Sequence, residues 1–129
     1  MANELTDAGE NLLLDLINGV TTAAPVTGPL KLALLTAQGT DAAAGTEVTG
    51  GSYARQTLTF GAASAGSAAN TNAVTFPSMP ACSVVGFAIY DSTATPKRLW
   101  EIPRTGGAAT VNAGDTFNVA VGGITVAIN

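Results

Sequence analysis

A chain of 129 residues supports one hydrophobic core and is short for two ordinary domains. Apolar residues make up 47% and charged residues 11%, which excludes a disordered chain and leaves a surface of Thr, Ser, Asn, Gly and Ala that loses little desolvation energy when another subunit covers it. The net charge of −4, with Lys31, Arg55, Lys97, Arg98 and Arg104 forming no long run, argues against a nucleic-acid partner, because phosphate neutralisation needs a basic patch.

Residues 4 to 18 carry a helical pattern. At about 100° per residue, Leu5, Leu12, Leu13, Leu16, Ile17 and Val20 share one arc, opposite Glu4, Asp7, Glu10, Asn11, Asp15 and Asn18. Asn3 is the expected N-cap and Gly19 the expected stop. The apolar arc must be buried, either on the chain's own sheet, the favoured placement, or on a neighbour. Leu14 lies off the arc and is a candidate subunit contact. The expected division is thus an amphipathic helix over 1–20, a linker over 21–29 with Pro25, Gly28 and Pro29, and a β-domain over 30–129.

Beyond the linker, short apolar or alternating runs are separated by Gly, Pro, Asn, Asp and Ser clusters, the signature of an all-β domain. Strands are expected over 30–36, 54–60, 73–76, 82–90, 98–102, 116–121 and 124–128, which gives a mainly β fold: a single β-sandwich or flattened barrel with a short N-terminal α-helix. The run Val84 to Ile89 is apolar on both faces, so it is expected to be central, covered on its second face by the N-terminal helix or a partner chain. Val121-Gly122-Gly123 is expected to close a hairpin. The low-complexity stretches 40–51 and 61–71 read as loops, either tolerated surface or arms that order against a neighbour.

Chemistry is scarce. The chain has no histidine, which removes the commonest general base and metal ligand, and it lacks nucleophile-elbow, phosphate-loop, dinucleotide and calcium-loop patterns. The lone Cys82 can form no internal disulfide and reads as a small hydrophobe at a strand start. Asp91, Glu101 and Asp115 near strand ends are the only carboxylates that suggest glycoside hydrolysis, and their spacing does not place two across a cleft. No enzyme, cofactor or metal is expected, and no apolar run approaches the roughly 20 residues that cross a bilayer, so no membrane partner is expected either. Met1-Ala2-Asn3-Glu4 lacks the basic-then-apolar pattern of a leader, so synthesis in a cytoplasm is expected.

In Gly50-Gly51-Ser52-Tyr53-Ala54-Arg55, Tyr53 and Arg55 are candidate subunit contacts, as both residue types are enriched at interface hot spots. The structural alternative has Tyr53 capping the sandwich edge and Arg55 pairing with Glu47 or Asp91.

Leu30 to Thr36, Gly45 to Gln56, Phe60 to Ser64, Val74 to Pro77, Ile89-Tyr90-Asp91 and Ala113 to Phe117 together resemble a family of small tailed-phage virion proteins labelled tail fibre or head decoration proteins. The likeness runs from Leu12 to Ile128. It departs at Thr36-Ala37-Gln38-Gly39, where an Asp-Pro-Gly turn is usual, and at Ala88, where Gly is usual. The resemblance implies a virion protein made in the host cytoplasm, without catalytic residues. The favoured role is a capsid decoration, or cement, protein on the outer surface of the major capsid shell; the alternative is a tail fibre or other tail subunit, and a receptor- or carbohydrate-binding module ranks third because aromatic residues are only 5%. The expected partners are the major capsid protein or tail proteins and further copies of the chain as a homotrimer.

Overall fold

The computed structural model describes residues 4–20 and 26–128. Among the described residues the chain is mainly β with one short helix. In order it forms β1 (Glu4–Leu5), α1 (Asp7–Ile17), β2 (Leu30–Ala37), β3 (Thr46–Glu47), β4 (Gln56–Leu58), β5 (Ser67–Ala69), β6 (Val74–Phe76), β7 (Cys82–Val84), β8 (Gly86–Tyr90), β9 (Arg98–Pro103), β10 (Ala109–Val111), β11 (Phe117–Val119) and β12 (Thr125–Ala127).

The main sheet is six-stranded and antiparallel, in the order β1-β9-β8-β2-β3, with β4 also pairing with β2. Three two-stranded ladders, β7–β10, β6–β11 and β5–β12, supply the opposing layer. Their side chains alternate: Val74, Phe76, Val84, Val111, Val119 and Val126 are buried, while Thr75, Ser83, Thr110 and Asn118 face out. The inward set meets Leu32, Leu34, Leu58, Phe87, Ile89 and Ile102 of the main sheet in one core, so the fold is a β-sandwich in which the described strands close no barrel.

β8 lies between β9 and β2, with Ile89 opposite Leu32 and Phe87 opposite Leu34, which makes it central as expected. The expected continuous run from Cys82 to Tyr90 divides at Val85, where the chain leaves the β10 ladder and joins the main sheet. The second face of β8 is covered by neither the helix nor a partner. Here Ala33 and Ala88 are fully buried and Gly86 has no side chain, so the loop 38–45 lies against the sheet. A Cβ on Gly86 would run into the side-chain amide of Gln38. Glu101, opposite Ala88 and 1% exposed, accepts from the Gly39 N–H and from Arg98. Arg98 in turn donates to the Asp41 carbonyl at 2.9 Å.

The N-terminal region differs from the helical expectation over 4–18. Glu4 and Leu5 pair with Glu101 and Trp100, and the helix begins at Asp7 with Thr6 as N-cap, its Oγ1 accepting from Gly9 N–H at 3.3 Å. Asn3, the expected cap, lies outside the described residues, as do 21–25 of the expected linker. Gly19, at φ 72°, ends the helix as expected: its N–H donates to Leu16 O and that of Val20 to Asp15 O, a Schellman arrangement. Gly9 is buried because the helix approaches the β9 backbone there; a Cβ would stand 2.8 Å from Leu99 O.

The stretch 61–71, expected as a loop or arm, contains β5, which pairs with β12 in the same subunit. The turn at Val121-Gly122-Gly123 closes no hairpin, because β11 pairs with β6 and β12 with β5. Buried Asn70 holds this crossover: its Nδ2 donates to Asn72 O at 2.7 Å and Ala120 O at 3.0 Å, and its Oδ1 accepts from Ile124 N–H at 2.8 Å. Asn70→Ala leaves the buried Ile124 N–H without its acceptor and removes a donor from the Asn72 and Ala120 carbonyls, and it should cost about 2 to 3 kcal/mol; urea unfolding of the two proteins measures the difference.

Candidate interaction surface

Tyr53 and Arg55 belong to one cluster at the edge of the main sheet. On this edge β2 pairs with β4 over Leu30 to Leu32 and with β3 from Leu35 onward, which leaves the Leu34 N–H between the two partners. The Tyr53 hydroxyl fills the gap, accepting from Leu34 N–H at 3.0 Å and donating to Glu47 Oε2 at 2.7 Å. Its ring stacks with Phe76 at 6.0 Å between centroids. Arg55 binds Glu47 through both carboxylate oxygens, at 3.0 and 2.9 Å, and its guanidinium lies 3.6 Å from the centroid of the Tyr90 ring. Both residues are half-buried, with polar groups directed to partners in their own subunit.

The three carboxylates weighed for hydrolysis are also tied to the fold. Asp91 closes the β8–β9 turn: it accepts from Lys97 N–H at 2.8 Å and Thr93 Oγ1 at 2.9 Å, with Lys97 Nζ 3.4 Å away. Glu101 holds the 38–45 loop, and Asp115 accepts from Asn112 N–H at 3.1 Å. Lys97 and Arg98, the basic pair of the sequence, are therefore each paired with a carboxylate. Cys82 is half-buried at the start of β7 and packs against the core; burial pushes its thiol up. Among the described residues no cluster of three or more His, Cys, Asp or Glu is placed to hold a metal ion.

Leu14 sits in a different environment. It is 56% exposed on α1, beside Leu16 at 76% and Ile17 at 70%. Leu16, expected to face the chain's own sheet, is more exposed than Leu14: the helix meets the β9 backbone closely near its N-terminal end, at Gly9, and farther along a groove separates it from Trp100. Between the helix, β9 and Ile128, the residue after β12, runs an apolar groove of about 550 Å³, lined among others by Leu5, Leu12, Leu16 and Trp100. Helical periodicity marked these residues as one face and carried no information on what covers it. Trp100, half-buried opposite Leu5, was not singled out from sequence; an aromatic side chain in the β-run nearest the helix was the available signal.

Desolvation alone would raise the Glu47 carboxyl, but hydrogen bonds from Arg55 and Tyr53 outweigh it and hold the group below its ordinary value of 4.5. Asp91 behaves alike: burial opposes ionisation, and donation from the Lys97 backbone and from Thr93 holds it below 3.8. Both carboxyls bind protons less readily in the folded than in the unfolded chain, so their contribution to stability is complete above these ordinary values and is lost as pH falls through the lower folded-state values. Stability measured by urea unfolding should be flat from neutral pH to about 5 and decline below about 4, and Glu47→Gln should lower the plateau and make the decline shallower. An identical pH profile in the variant would contradict the assignment.

No helix among the described residues is long and apolar enough to cross a membrane. No curated protein matches the chain. The model of a protein family described as podophage GP4 fiber I protein gp80 matches residues 4–127, which takes in β1, the helix, both layers of the sandwich and the Tyr53–Glu47–Arg55 cluster. With nearly the whole fold inside that match, the chain belongs to the podophage GP4 fiber I protein gp80 family and is a structural protein of a tailed-phage virion.

Proposed function

We propose that the chain is a non-enzymatic subunit of a phage fibre, joined to tail proteins and to further copies of itself. The observation that carries this reading is the family match over residues 4–127, which favours a fibre over the capsid decoration role ranked first from the sequence. Charge scarcity suits either location, since it concerns only the ease of covering the surface. The non-enzymatic part is supported by the use of the carboxylates: Asp91 and Glu101 are buried and bound to backbone amides and cations of their own subunit, whereas a general acid and its partner must face substrate across a cleft. A receptor- or carbohydrate-binding module has no specific support in the aromatic residues, since Phe76 and Phe87 are buried and Tyr53, Trp100 and Phe117 pack against the core.

Antibody labelling of purified virions, combined with quantification of the chain against the major capsid protein, tests the reading. Label on fibres, at a copy number far below that of the major capsid protein, is expected. Label spread over the head at near-equal abundance would establish decoration instead. Incubation of the purified protein with host surface polysaccharide should release no reducing ends, and release would contradict the non-enzymatic role.

A further inference from the structure

We infer that the groove beside α1 is a contact surface between copies of this chain. The inference rests on the fibre reading for its setting, an assembly in which copies meet, and on the subunit's own geometry for the surface. In the C-terminal half of α1 and the turn after it, Asp15 and Asn18 mark the polar side and the rest is a broad apolar face: Leu12 and Leu13 are half-buried, and Leu14, Leu16, Ile17 and Val20 are exposed. An exposed apolar helix face of this width favours a cover.

The chemistry of the patch selects its occupant. The groove is lined by apolar residues and one glycine, so a sugar or phosphate would lose its hydration without gaining side-chain partners. An anionic bilayer surface is disfavoured, because α1 carries Asp7, Glu10 and Asp15 and no basic residue in its last turn, opposite to the Lys- and Arg-rich polar face of interfacial helices. What fits is an apolar protein surface, and the patch offers one to itself. Leu16 lines the groove yet is largely exposed, and Ile17 follows it on α1, also exposed, so symmetry-related copies can each set these side chains against the groove of the other. The exposed parts of Leu14, Leu16, Ile17, Val20, Val26 and Ile128 amount to on the order of 500 Å², most of the roughly 800 Å² that each partner contributes to a standard interface. The acids of the first turn, Asp7 and Glu10, then fall at the rim, where charge stays hydrated.

Analytical ultracentrifugation of the full chain up to about 100 µM tests this together with two variants. The unmodified chain should sediment as a dimer or trimer. The double variant Leu16→Asp, Ile17→Asp should associate about 100-fold more weakly or not at all, because carboxylates would be buried without partners, while its circular dichroism and its melting in dilute solution stay unchanged. Val121→Asp, at an exposed apolar site outside the groove lining, should associate as the unmodified chain does. A monomer at every concentration, undiminished association of the double variant, or equal loss in Val121→Asp would overturn the inference. Should the double variant fold poorly, Leu16→Cys in a Cys82→Ala background gives a second reading: a short bis-maleimide should link copies to one another, and the absence of linked species counts against the contact. A monomeric chain that nevertheless labels fibres refutes this contact and leaves the fibre reading intact. Association through the groove in a protein absent from fibres does the reverse.

Discussion

The arrangement of the subunit follows from the small residues on one face of its central strands. Ala33, Gly86 and Ala88 leave a shallow stretch on that face of β2 and β8, flanked by Leu35 and Tyr90, and the loop 38–45 lies on it, held by the buried Glu101 carboxylate at the Gly39 N–H and by Arg98 at the Asp41 carbonyl. A buried carboxylate is tolerated only with a cation and amide donors to satisfy it; Arg98 and Gly39 meet that condition. Because the loop occupies this face, α1 cannot lie across it. The helix is anchored at the sheet edge through β1, the Thr6 cap and the close approach of Gly9 to Leu99, and its apolar last turns are left in solvent.

The opposite side of the sheet is closed by different means. β3 and β4 cover the β2 edge incompletely, and the Tyr53 hydroxyl satisfies the Leu34 amide left between them. This satisfies the requirement that a partly buried N–H find a partner and explains why Glu47, Arg55 and Tyr90 gather there. Asn70 does the same where the chain crosses from the β11 ladder to β12. In a chain with so few charges, each of these polar groups serves to pin one segment to another, which leaves the remaining surface free of strong preferences for water.

What the sequence made legible, and what it did not, follows the strength of each physical signal. The apolar runs from Leu30 and from Arg98 and the alternation around Leu58, Val74 and Phe117 announce strands because burial imposes a period of two. Glu4–Leu5, Thr46–Glu47, Ser67–Ala69 and Ala109–Val111 escape notice because each is two or three residues long and borrows its strand character from a partner. The Val84 to Ile89 run correctly marked a central strand. Its second cover was misattributed, since a loop of Gly, Ala, Thr and Asp carries no apolar signature; Glu101 within an apolar run was the sign that polar backbone would pack there. That covering also removes the doubly apolar strand as an argument for self-association and shifts the argument to α1. For the candidate contacts, Tyr53 and Arg55 read equally well as hot spots or as local structure from sequence, and only the geometry shows how fully their polar groups are engaged.

These constraints describe a virion subunit whose sandwich is complete in itself and whose helix is not. Hydrogen–deuterium exchange, compared between the dilute subunit and purified particles, tests this most directly. The account predicts that amides of the last turns of α1 exchange rapidly in the dilute subunit and become protected in the particle, whereas amides of residues 39–45 are protected alike in both, because their cover is intramolecular. Equal protection of α1 in the two states, or new protection confined to residues 39–45, would contradict it.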